Sequence, residues 1–140
     1  MALISLSLPP NPTAISIFNQ KFDELARSHQ LSSPLKNAVK LSLNEAITNI
    51  FSYGFTSRDN PKIDLEMSMT ELSLSAVLKD NGTPFDPTNH PSPQKITSLE
   101  EAQIGGFGIQ LMREHSSKMT YQYLQSHNIL SLSWLLNEWD

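Results

Sequence analysis

At 140 residues, 39% of them hydrophobic and 17% charged, the chain fits one soluble domain with a core of ordinary size, without disulfides or a structural metal. A formal charge of -4 leaves no electrostatic footprint for nucleic acid or for an anionic membrane surface, so proteins and small molecules are the expected partners. The absence of cysteine excludes a disulfide scaffold, a thiolate metal site and a cysteine nucleophile, and is consistent with a cytoplasmic setting.

The opening stretch "MALISLSLPPNP" lacks a basic leader and its apolar run is short for an export signal, so it reads as a strand in an unexported chain that does not span a membrane. From Ala2 to Leu8 two sets of residues alternate, the period of a half-buried strand, and Pro9 and Pro10 stop it. Thr13 can cap a helix to about His29, with Ile15, Phe18, Phe22 and Leu25 at spacings of three and four. The strongest helical pattern follows: Ser33 as cap, Pro34 in the first turn, Val39, Leu43, Ala46, Ile47 and Ile50 on one stripe, and Gly54 near the end.

"KIDLEMSM" and "LSLSAVLKD" alternate as two strands around a turn near Thr70 and Glu71. A polar, proline-rich stretch from Thr83 to Ile104 comes next, long for a structureless connection and so either a linker or a working part. "GIQLMREHS" from Gly108 reads as a helix, and "KMTYQYLQ" and "ILSLSWLL" as a hairpin turning across "SHN". The order predicts an α+β fold: a two-layer sandwich, with a mixed, mostly antiparallel sheet of about five strands covered on one face by three helices.

Three groups could carry chemistry, and each has an ordinary structural alternative. Glu45 and Asn49 stand one turn apart on the same side of the long helix, roughly 150° and 110° from the centre of its apolar stripe. They are a solvated polar face or a functional pair. Asp80, Asn81 and Gly82 end a strand and suit a turn as well as a site. Gly105, Gly106 and Gly108 enter a helix, where unpaired amides attract an anion such as phosphate, although a hinge would look the same. His90, His115 and His127 have no metal-ligand spacing, and Trp134 and Trp139 suit the last strand or the surface.

In order along the chain, "NEAITN", "DNGTPFD" and "GGFGIQL" resemble the N box and the two glycine boxes of the GHKL (Bergerat-fold) ATP-binding superfamily. The helix-strand-strand-lid-helix spacing and the "EAITNI" form of the N box resemble the anti-sigma factor serine kinases within it. The resemblance runs from about Leu35 to the C-terminus. It implies a single histidine-kinase-like ATPase domain over residues 1–140, with an ATP lid at about 83–104, and ATP and Mg²⁺ as cofactors. Asn49 would ligate Mg²⁺ through its amide oxygen, which suits a hard cation. Glu45 would take the proton from an attacking serine hydroxyl. Asp80 would accept the exocyclic amine of adenine, where guanine offers a carbonyl.

Gly82 would let the backbone approach the base, and Gly106 and Gly108 the phosphates, with Gly105, Phe107 and Ile109 completing the nucleotide-binding segment. For Phe107, a plug on the core and a contact at the lid base are both open. The implied partners are a sigma factor and a STAS-domain anti-anti-sigma protein, and a homodimer is allowed. Two departures stand out. Thr83 and Pro84 replace the usual second glycine of the first box, and Gln110 replaces a third glycine of the second. The lid also has Lys95 but no arginine for a γ-phosphate contact. These departures keep open a rival reading, a nucleotide-gated binding module that transfers no phosphate.

Overall fold

The computed structural model describes residues 2–55, 60–89 and 107–140. The described elements run β1 (Ala2–Leu8), α1 (Thr13–Ser28), α2 (Ser33–Tyr53), β2 (Ile63–Met69), β3 (Ser73–Asp80), α3 (Phe107–Glu114), β4 (Lys118–Leu124) and β5 (His127–Leu135). Five strands form one sheet in the order β1-β2-β3-β5-β4, and every pairing is antiparallel. The α+β expectation holds, and the sheet is wholly rather than mostly antiparallel among the described residues.

Period-two patterning decides which face meets the helices. Ile63, Leu65 and Met67 of β2, Leu74, Ala76 and Leu78 of β3, and Leu130, Leu132 and Trp134 of β5 are all buried. Between them Asp64 and Glu66 face solvent. The helices supply the other layer: Phe18, Phe22 and Leu25 from α1, Val39, Leu43 and Ile47 from α2, and Ile109 and Met112 from α3. Phe18 and Phe22, one turn apart, stack with centroids 5.6 Å apart. No described helix is long and apolar enough to cross a membrane.

The helix ends lie one residue from their expected caps. Ser32 rather than Ser33 caps α2, its Oγ accepting the Leu35 N–H at 3.2 Å, and Ser33 and Pro34 open the first turn. At α1 the cap position is Pro12, and the Thr13 N–H is instead bonded by the Asn11 side chain at 2.9 Å. Adjacent Ser-Ser and Asn-Pro-Thr offer alternative oxygens, and only backbone geometry selects between them. The β4–β5 turn carries a larger correction. Gln125 and Ser126 both have positive φ, 51° and 63°, and form a two-residue turn of the kind that matches strand twist. His127 and Asn128, read from sequence as turn residues, therefore belong to β5. His115 lies just past the end of α3 and stacks on Trp139.

Candidate functional site

Two polar residues continue the apolar rows of the inward sheet face. Asp80 and Asn128 are register partners across β3 and β5, and both are buried, at 5% and 6% exposure. A buried carboxylate is costly unless donors surround it. The Gly82 N–H reaches Asp80 Oδ1 at 2.9 Å and Asn128 Nδ2 reaches the same oxygen at 3.0 Å. Asn128 has further partners: its Nδ2 donates to the Thr83 carbonyl at 3.0 Å, and its Oδ1 accepts the Phe85 N–H at 3.1 Å and the Tyr121 hydroxyl. Burial pushes the Tyr121 phenol above its ordinary value; the Phe85 backbone opposes that rise, and the carboxylates of Asp86 and Asp80 add to it. The phenol therefore stays protonated and able to donate.

Above this pair lies a mostly apolar cavity of about 340 Å³, within the range of small-ligand sites. Asp80, Asn128 and Leu130 line its sheet side, Ala46, Asn49, Ile50 and Tyr53 its α2 side, and Thr83, Pro84 and Phe85 its loop side. Asn81 is not part of it. Its side chain bonds the Lys62 N–H at 2.8 Å and the Asn60 carbonyl at 3.0 Å, pinning the entry into β2.

Glu45 and Asn49 are half-buried rather than solvated, because α3 lies across them. At one end of the contact Ser42 Oγ donates to the His115 carbonyl at 3.1 Å, and Trp134 Nε1 donates to the same oxygen at 2.6 Å. At the other end is Gly108. A Cβ there would stand 2.6 Å from Glu45 Oε2 and 3.9 Å from Asn49 Nδ2, so the missing side chain admits the Glu45 carboxylate to the first turn of α3. Negative charge is favoured near that helix end. Gly82 is glycine for a different reason. A Cβ there would meet the Gly54 carbonyl oxygen at 2.6 Å, where the chain leaving β3 crosses the end of α2 and the Thr83 N–H bonds that same oxygen at 2.8 Å.

The residues singled out from sequence are thus distributed unevenly. Asn49 and Asp80 face one cavity, Glu45 and Gly108 meet beside Asn49, and Gly82 lies behind Asp80 as a donor to its carboxylate. Ile109 buries its side chain in the core, which leaves only its backbone for a ligand. Phe107 opens α3. Gly105, Gly106 and residues 90–104 of the expected lid lie outside the described residues. Asn128 and Tyr121 are the polar residues that sequence reasoning missed. The available signal was the alternation of β5 extended backwards by two residues, which puts Asn128 on the inward face.

A cation can be tested against the donors present. Asn49 Nδ2 is buried without a hydrogen-bond partner, and a half-turn of the amide would present its carbonyl oxygen in that position. No group of three or more His, Asp or Glu that could hold a metal occurs among the described residues. One amide oxygen completed by phosphate oxygens and water is an environment that suits Mg²⁺, and the residues fit that ion.

The start of the expected lid is tied down. Arg113 of α3 donates to the carbonyls of Pro87 at 2.9 Å and Thr88 at 2.6 Å, and Asp86 Oδ1 accepts the Thr88 N–H at 2.8 Å. Amide exchange at Thr83, Phe85 and Thr88 is therefore expected to be slow without any nucleotide, since each N–H is bonded. Hydrogen exchange read at these three amides checks this, and protection appearing only on adding ATP would contradict it.

Comparison with known proteins gives a consistent result. Residues 8–134 match the family described as histidine kinase-like ATPase domain. The serine/threonine-protein kinase BtrW of Bordetella bronchiseptica is 34% identical over 111 residues, covering 79% of this chain and 78% of that protein. The serine-protein kinase RsbW of Listeria monocytogenes is 29% identical over 113 residues, covering 78% of this chain and 72% of that protein. An anti-sigma F factor of Clostridium perfringens is 26% identical over 74 residues, 53% of each chain. Among solved structures, Acinetobacter baumannii histidine kinase AdeS shares the fold with a TM-score of 0.50 at 12% identity, over 98% of this chain and 70% of that one. With the family model running from the last residue of β1 to the last but one of β5, and α2 packed on α3, the chain belongs to the histidine kinase-like ATPase family, in its anti-sigma factor serine kinase branch.

Proposed function

We propose that the chain binds ATP with Mg²⁺, transfers the γ-phosphoryl group to a serine or threonine of a STAS-domain antagonist, and sequesters a sigma factor. The observation that carries this reading is the close approach at Gly108, which sets the carboxylate of Glu45 and the amide of Asn49 together against the first turn of α3 and beside the cavity that holds Asp80. The names of the relatives, two protein kinases and an anti-sigma factor, support the same class.

In this reading the adenine enters the cavity with its 6-amine toward Asp80, between apolar walls from α2 and the Thr83–Phe85 segment. Asn49 would hold the ion through its amide oxygen, and Mg²⁺ would supply neutralisation of the phosphate charge when bound. The first turn of α3 offers backbone amides to the phosphates. Glu45 accepts the proton of the incoming hydroxyl as that oxygen bonds to the γ-phosphorus; the bond from phosphorus to the β–γ bridging oxygen breaks, and ADP leaves. Little more than positioning and charge neutralisation is required of the protein.

The rival binding-module reading draws on the fixing of residues 83–89 by Arg113 and Asn128, which restrains the base of the lid. Incubation with Mg-ATP and a STAS-domain protein encoded beside this chain, followed by intact mass, separates the two. Addition of one phosphoryl group to the partner is expected. ATP binding without any such addition would make the protein a nucleotide-gated binding module.

A further inference from the structure

We infer that Asn128, itself held by Tyr121, is the positioning residue that aims the Asp80 carboxylate and thereby sets the choice of purine base; this rests on the adenine-nucleotide reading of the cavity. A carboxylate rotates over a broad, shallow torsional range, and base selection by Asp80 requires that this range be closed. Two donors from different elements close it. The Gly82 N–H and Asn128 Nδ2 converge on Oδ1 at 2.9 and 3.0 Å, one from the turn after β3 and the other from the opposing strand.

The orientation of Asn128 is in turn determined by its partners. Its Nδ2 faces three acceptors, Asp80 Oδ1 and the carbonyls of Thr83 and, at 3.4 Å, Gly82, while its Oδ1 faces two donors, the Phe85 N–H and the Tyr121 hydroxyl. Flipping the amide would set oxygen against oxygen at the three acceptors and N–H against N–H at Phe85, and only the Tyr121 hydroxyl could turn to accept. An aspartate here would set a second carboxylate against Asp80, and an aliphatic residue would supply no donor. An acceptor held in one plane pairs with an exocyclic 6-amine and leaves a 6-carbonyl facing it unpaired, so the discrimination depends on the plane being held.

The test is calorimetric titration of the full chain with ADP and with inosine diphosphate, in MgCl₂. The two ligands differ at the 6-position of the base, and the readout is the ratio of their affinities. Both bind the same folded protein, so a change in stability alone leaves that ratio where it was. The wild type is expected to prefer ADP, and Asn128→Ala to lower the preference by about tenfold, the loss of a hydrogen bond to a charged group. Tyr121→Phe keeps the ring beside the cavity, removes one of the two donors on Asn128 Oδ1, and is expected to lower the preference by about threefold. In the Asp80→Ala background Asn128→Ala should lower it no further, because a residue acting through Asp80 has nothing left to aim.

If Asn128→Ala does not fold, Tyr121→Phe decides alone, and a wild-type ratio in that variant overturns the inference. Losses that multiply in the double variant would mean Asn128 reads the base itself, which also overturns it. A wild type that binds no ADP, or shows no preference, sinks the adenine reading and this inference together. A wild type that prefers ADP, with both variants preferring it equally, overturns the inference alone.

Discussion

Glu45→Gln is expected to bind ATP as the wild type does and to transfer phosphate to its antagonist about 10²-fold more slowly or worse, the scale of a lost general base. The structure makes this substitution cleaner than helix periodicity suggests. Glu45 is half-buried, and its Oε2 lies 2.6 Å from where a Gly108 Cβ would be, so deleting the side chain would also open a gap against the first turn of α3. Glutamine fills the same volume and keeps the contact while losing the ability to take a proton. Sigma-factor binding should persist. ATP affinity by calorimetry and a phosphotransfer time course by intact mass check the two halves separately. Transfer at the wild-type rate would remove Glu45 from the role of base.

Gly82→Ala is expected to destabilise the fold by about 2 kcal/mol, an overpacking cost, and to lower the melting temperature by roughly 6 °C for a domain of this size. The added methyl would stand 2.6 Å from the Gly54 carbonyl oxygen and 3.0 Å from its carbon. These are backbone atoms at the end of α2 and cannot swing aside as a side chain would. The strain falls on the site as well, since the same methyl would lie 3.0 Å from Asp80 Oδ1 and the Gly82 N–H donates to that oxygen. Nucleotide affinity should fall along with stability. Calorimetric melting gives the first effect and ADP titration the second; an unchanged melting temperature would mean that the β3–α2 crossing relaxes freely.

Much of the candidate site was legible because its residues belong to short motifs. Glu45 and Asn49 share a helix turn, Asp80 ends an alternating strand, and Gly108 opens a helix; each can be recognised within a handful of neighbours. Asn128 was not legible in this way. "QSHN" holds neither glycine nor an Asn-Gly pair to mark a two-residue turn, so the bend was read as ending two residues too late and an inward strand residue became a loop residue. The polar face of α2 is a similar case. Periodicity shows which side of a helix is apolar, but it carries nothing about a second helix whose one missing side chain allows it to cover a glutamate.

The sequence by itself determined the elements, their order and the identity of the chemical groups, because hydrophobic periodicity, turn residues and motif spacing are local and act over a few residues. Only the tertiary structure decided that Asp80 and Asn128 face each other across β3 and β5, that Gly82 is needed for Gly54, and that Arg113 fastens the Pro87–Thr88 segment to α3. These contacts join residues 25 to 48 positions apart. What selects them is strand register and the fit of backbone against backbone, and both come into being when the sheet and the helices pack.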